Sequence, residues 1–162
     1  MEQQLSSTHV NRYGSAFSAV LLTGLFAGML DAAAAVLIYE VRPSRLFQFI
    51  ASGLFGKEAL VGGLLMALWG LILHFLISFT WTYLYFVAFP KFKILARHKI
   101  LNGFIYGLSI WVVMNLVIIP LSRIQQAPFN LVQSLVGVLI LMIAVGLPIT
   151  MLTHRYYSGQ ED

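Results

Sequence analysis

The chain of 162 residues contains no cysteine. That absence excludes disulfides, thiolate metal sites and thiol nucleophiles together, and it leaves the redox compartment open. Charge is nearly as scarce: 10% of residues are Asp, Glu, Lys or Arg, where ordinary globular chains carry about a quarter. With 59% hydrophobic residues and a mean hydropathy of +0.85, a soluble fold would have too little polar surface to cover its apolar content. The composition is that of an integral membrane protein. Acids are the scarcer sign, six against ten Lys and Arg, for a net charge of +4 and a pI near 9.6. An excess of cations can signal nucleic acid, but here the cations are scattered between long apolar runs, as in membrane loops. The partner that the composition names is the lipid bilayer, not nucleic acid.

Alternation of apolar and polar residues is missing as well. Backbone groups in hydrocarbon must be satisfied internally, which leaves helices or closed barrels, and a barrel needs short alternating segments. The runs here are long and continuous, so the expected fold is an all-α membrane protein. Four transmembrane helices form a bundle, with a short interfacial or re-entrant helix between the first and second. The spans are read as 15–39, 59–88, 100–121 and 131–153, each longer than the roughly 20 residues that a crossing requires. Residues 15–157 form one transmembrane domain between polar tails at 1–14 and 158–162, which lack apolar periodicity and are expected to be loose. The second run is long enough to tilt, or to carry Trp81, Tyr83 and Tyr85 in the interfacial aromatic belt.

Between the first two spans, "RPSRLFQFIASGLFG" opens with Pro43 at a natural helix start. A helix over 43–56 is too short to cross, and it sets Arg45, Gln48 and Ser52 on one face and Leu46, Ile50 and Leu54 on another. A position along the membrane surface is favoured over a re-entrant dip. A secretory signal is the rival reading of the start, since Arg12 precedes an apolar stretch and Ala32 to Ala35 resemble a cleavage site. The stretch is longer than a signal core and Asp31 interrupts it just before that site, so the first span is read as retained. Four spans place both termini and the second loop on one side, with Arg12, Lys91, Lys93, Arg97, Lys99 and Arg155. Arg42, Arg45, Lys57 and Arg123 fall on the other. The positive-inside rule therefore puts both termini in the cytoplasm.

Helices in lipid meet through small residues and interhelical hydrogen bonds. Gly24, Gly28, Asp31, Ala35 and Tyr39 form one stripe of the first span, with Asp31 in its middle. The second span carries Gly63, Ala67, Gly70, His74, Ser78, Trp81 and Tyr85, and the third Gly103, Gly107, Trp111 and Asn115. Asp31, His74, Asn115 and Tyr106 are the candidate intramembrane polar site. Counted from the outer end of each span, Asp31 lies about 12 Å deep, Asn115 about 9 Å and His74 about 22 Å. The expectation is that Asp31 bonds Asn115 or a water, while His74 packs near Gly24 and Tyr106. Each polar group carries two readings. Asp31 is either a ligand or proton site, or a packing device, held neutral by its apolar surroundings; His74 and Asn115 read first as hydrogen-bonded helix glue.

Sharper chemistries lack their residues. Two haem-ligating histidines would need matched depth, and His9, His98 and His154 lie at or beyond the span ends, leaving His74 alone inside. No H-E-x-x-H or comparable zinc spacing occurs, so no metal or cofactor is assigned. No Gly-x-Ser-x-Gly elbow stands near a base, and the glycines of "GLFAG" lack the lysine and strand context of a phosphate loop. An enzyme is not expected. Pro120 and Pro148 each remove a backbone donor late in a span and predict kinks there.

Three stretches carry a resemblance: "NRYG" leading into "GLFAG", "WGLILHFLIS" with Trp69, His74 and Ser78, and "FPKFK" from Phe89 to Lys93. Together, over roughly Arg12 to the fourth span, the chain resembles the YagU-like bacterial inner-membrane proteins. The resemblance implies a small polytopic protein of the cytoplasmic membrane with no established enzymatic activity, loosely linked to tolerance of acid stress. His74 matches a family position, whereas Asp31 stands where a small polar residue is expected.

Two functions follow. The first is a non-enzymatic scaffold or accessory protein, acting as a homo-oligomer or with a membrane-protein partner. The second is a proton- or small-cation-conducting transporter or channel using Asp31 and His74 as stations. The spans show no internal repeat of the kind transporters commonly carry, which ranks the scaffold first.

Overall fold

A computed structural model describes residues 2–125, 128 and 130–159, with side chains from residue 16 onward. Among these residues the chain is helical with no strand, and four helices are long and apolar enough to cross a membrane. Helix α1 is Glu2–Ile38, α2 is Pro43–Phe55, α3 is Gly63–Ala88 and α4 is Lys93–Arg97. Helix α5 is Lys99–Leu121 and α6 is Leu131–Ser158. The all-α bundle with a short extra helix after the first span is the observed architecture.

Boundaries differ where hydropathy alone set them. The polar head expected to be loose continues the first helix back to Glu2. Extending an existing helix needs no new nucleus, so polar residues without a proline can follow an apolar span into helix. The second span begins at Gly63, not near residue 59, because Lys57–Val61 form a separate 3-10 turn. Gly63, at φ +63°, then takes a left-handed conformation that suits glycine. The fourth span runs on to Ser158, and residues 160–162 of the tail lie outside the described residues.

Helix α1 closes through Glu40, whose φ of +51° makes it the one left-handed non-glycine residue among those described. Pro43 starts α2, and Gly56, at φ +78°, ends it. Both prolines expected to kink their spans follow a widened π turn, at Met114–Ile118 before Pro120 and at Leu141–Gly146 before Pro148. A proline offers no amide to the carbonyl one turn earlier, and the wider winding absorbs that mismatch.

Helix α1 packs on α3 and α6, α5 packs on α6, and α2 packs chiefly on α3. At the crossing of α5 and α6 the backbones touch: a side chain at Gly146 would collide with the Gly103 carbonyl and one at Gly107 with the backbone of Met142. A second backbone contact sets the Phe47 carbonyl of α2 directly on Gly70 of α3. Large apolar side chains such as Leu22, Leu64, Leu116 and Val132 face outward, as helices surrounded by lipid require. Polar residues go the other way: Gln48, Ser52, His74, Ser78, Thr82, Asn102 and Thr150 are all buried.

Candidate intramembrane polar site

Two hydrogen bonds define the contact between α1 and α3. His74 donates through Nε2 to the Gly28 carbonyl at 2.8 Å, and the Ser78 hydroxyl donates to the Gly24 carbonyl at 2.7 Å. Four residues forward on α3 match four residues back on α1, so the helices run antiparallel in a fixed register. Glycine makes this possible. A Cβ at Gly24 would stand 2.5 Å from the Phe79 ring, and one at Gly28 would stand 3.0 Å from both the Phe75 ring and the Ser78 hydroxyl. The seam is closed tightly enough for side-chain donors of α3 to reach main-chain carbonyls of α1.

That register sets the level of Asp31. Three residues beyond Gly28, it falls opposite Leu71, about one helical turn or 5 Å along the axis from His74. That spacing leaves the carboxylate within Coulombic reach of the imidazole. Asp31 is partly buried, and among the described residues its carboxylate accepts no hydrogen bond. His74 is 8% exposed and lies edge-on to Phe47 of α2, with ring centroids 5.8 Å apart, and to Phe75 at 5.4 Å. Three helices therefore converge on one imidazole.

Three expectations for this site are corrected. Asp31 and His74 were separated by depth, yet they lie about a turn apart; α3 starts at Gly63, and counting eleven residues from there gives His74 a depth near 16 Å instead of 22 Å. Asn115 does not bond Asp31. Its Nδ2 donates to the Trp111 carbonyl of its own helix at 3.0 Å, the local back-bonding open to short polar side chains, and α1 packs chiefly on α3 and α6, so matched depth did not mean adjacency. Tyr106 does not neighbour His74 either. Its hydroxyl donates to the Trp81 carbonyl at 2.6 Å, two turns further along α3, and its ring lies 4.7 Å from that of Tyr85. Gly24, expected beside His74, instead receives Ser78.

Further ties repeat the same chemistry at both ends of the bundle. Gln48 donates to the Gly63 carbonyl at 2.9 Å and Arg45 to the Leu60 carbonyl at 2.9 Å, so the polar face of α2 turns onto the chain while Phe49 and Leu54 face outward. At the other end Thr150 donates to the Lys99 carbonyl, His154 to the Ala96 carbonyl and Tyr157 to the Phe86 carbonyl. Phe89 stacks on Tyr157 at 4.9 Å, fastening the 89–99 segment to α6. Sequence reasoning missed Phe47 as a lid over His74. The available signal was its place between the polar and apolar faces of α2. Among the described residues, no group of three His, Cys, Asp or Glu side chains converges. No protein-family model, curated protein or solved structure matches this chain; four apolar helices define a multi-pass membrane protein.

Proposed function

We propose that this chain is a non-enzymatic scaffold or accessory protein of the bacterial cytoplasmic membrane, with both termini in the cytoplasm. The observation that carries this reading is the employment of the intramembrane polar side chains. His74, Ser78 and Tyr106 each donate to a backbone carbonyl of another helix, and such groups hold a bundle in one register. The resemblance to the YagU-like proteins, carried by Trp69, His74, Ser78 and Phe89 to Lys93, supports the same class and the link to acid tolerance. A scaffold of this kind acts through a second copy or another membrane protein.

One observation favours the second reading. Asp31 accepts no hydrogen bond among the described residues and, by the register of the two seam bonds, lies about one helical turn from His74, an arrangement suited to a proton or small-cation station. Purified protein reconstituted into vesicles with an internal pH-sensitive dye, under an imposed proton or potassium gradient, separates the two. The scaffold reading expects dissipation no faster than in protein-free vesicles. Flux that appears with the protein and disappears in Asp31→Asn and His74→Ala overturns it in favour of conduction.

A further inference from the structure

The end of the bundle that holds the 89–99 segment carries an arrangement that packing does not use. Arg97, His98 and Lys99 line an open groove of about 490 Å³ together with Ile100, Leu101 and Phe104. Lys91 and Lys93 lie just upstream in the chain, and both are exposed. No acidic residue occurs between Glu58 and Gln160, and among the described residues none of these cations forms an ion pair. Unlike Arg45, which spends its guanidinium on a backbone carbonyl, Arg97 and Lys99 present free charge.

The groove also has direction. Its polar wall is the start of α5, where the first turn leaves amide N–H groups without intrahelical acceptors; the earliest helical bond recorded there runs from the Asn102 amide to the His98 carbonyl. Its apolar wall continues down the span. Leu101, Ile105 and Leu108 are exposed, and with Phe104 they share one face at helical spacing over about 10 Å. Cations and free amides thus sit where headgroups lie, directly above an apolar track that points into hydrocarbon. A free phosphate would use the first feature and have no use for the second.

We infer that this groove binds an anionic glycerophospholipid, its phosphate held by Arg97, Lys99 and the first turn of α5 and one acyl chain laid along Leu101, Phe104, Ile105 and Leu108. The inference rests on the four helices crossing a bilayer and is independent of whether the chain is a scaffold or a conductor. Basic pockets at the ends of membrane helices take acidic headgroups by this chemistry, and each cation near the surface contributes about a fivefold preference.

The test is native mass spectrometry of the full chain in detergent, titrated in parallel with dioleoyl-phosphatidylglycerol and dioleoyl-phosphatidylcholine. The wild type is expected to retain the glycerol lipid in preference to the choline lipid. In R97Q/K99Q that preference should fall about fivefold for each cation removed, while K57Q/R123Q, which removes two cations from other loops, should keep it. If R97Q/K99Q fails to fold, the single variants R97Q and K99Q, each expected to lose about fivefold, and a salt titration of the wild type replace it. Raising NaCl from about 0.1 to 0.5 M should erode the preference, because exposed charges are screened. Equal retention of both lipids, equal loss in both double variants, or indifference of the wild type to salt would overturn the assignment. So would displacement of the lipid by millimolar inorganic phosphate, which would make this a free-anion site.

Discussion

The imidazole of His74 donates through Nε2 to the Gly28 carbonyl at 2.8 Å, one turn from the matching bond between Ser78 and Gly24. A carbonyl can only accept, so this contact requires a proton on Nε2. The second imidazole nitrogen and the nearby Asp31 carboxylate are then what remains for chemistry or for electrostatics. The same pair of bonds fixes α1 against α3, on which α2 is also seated.

Replacing His74 with phenylalanine keeps a ring against Phe47 and Phe75 and removes only the donor. Interhelical hydrogen bonds in membranes contribute about 0.6 to 2 kcal/mol, so His74→Phe should cost an amount in that range. His74→Ala adds a cavity and should cost about 1 to 2 kcal/mol more. Reversible unfolding in mixed micelles, titrated with dodecyl sulfate, measures both. A negligible cost for His74→Phe beside a large one for His74→Ala would show that the ring, not the bond, secures the seam.

Glycine positions should sort by what a methyl group meets. At Gly146 it collides with the backbone of Gly103 and Gly107, which no rotamer change relieves, so Gly146→Ala should destabilise by about 2 kcal/mol or more. At Gly53 the nearest atoms are 3.6 Å away on the flexible side chain of Ile124. There an alanine favours the helix, and Gly53→Ala should stabilise by about 0.5 to 1 kcal/mol. The same micelle titration reports both signs.

Glu40 holds a left-handed conformation after the end of α1, which costs an L-residue about 1 to 2 kcal/mol relative to glycine. Glu40→Gly should therefore raise stability by about 1 kcal/mol, read as a higher midpoint in the unfolding titration. A lower midpoint would mean that the Glu40 side chain contributes more than its backbone strain removes.

Asp31 carries a cost without a hydrogen bond to offset it. Insertion scales charge roughly 2.5 to 3.5 kcal/mol for an aspartate at the centre of a span. Asp31→Asn should leave the unfolding free energy unchanged or raise it. A loss above about 1 kcal/mol would assign the carboxylate a structural role instead.

Much of this architecture was legible in the residues. Four apolar runs, Pro43 at the start of α2 and the stripe through Gly24, Gly28 and Asp31 are visible because hydropathy and a period near 3.6 act locally. Register was not legible. The four residues of Ala59 to Gly62 are as apolar as their neighbours, yet the turn at Gly62 and Gly63 excludes them from α3, and that displaced His74 by about a turn in depth. Adjacency was not legible either. Asn115 shares a level with Asp31 in sequence arithmetic, but which helix faces which depends on backbone contacts such as Gly103 with Gly146 and Gly70 with Phe47. The inward turn of Gln48 and Ser52 follows a general rule for helices facing lipid, and the sequence showed the two faces without showing which one met protein.

The central claim is that Asp31 and His74 interact inside the seam between α1 and α3, and a double-mutant cycle tests it most directly. Unfolding free energies of the wild type, Asp31→Asn, His74→Phe and the double variant, measured in one lipid-detergent mixture, give the coupling between the two side chains. Interacting residues show non-additivity of about 0.5 to 3 kcal/mol, and a value in that range is predicted. Costs that add to within about 0.3 kcal/mol would contradict the pairing and separate the carboxylate from the imidazole.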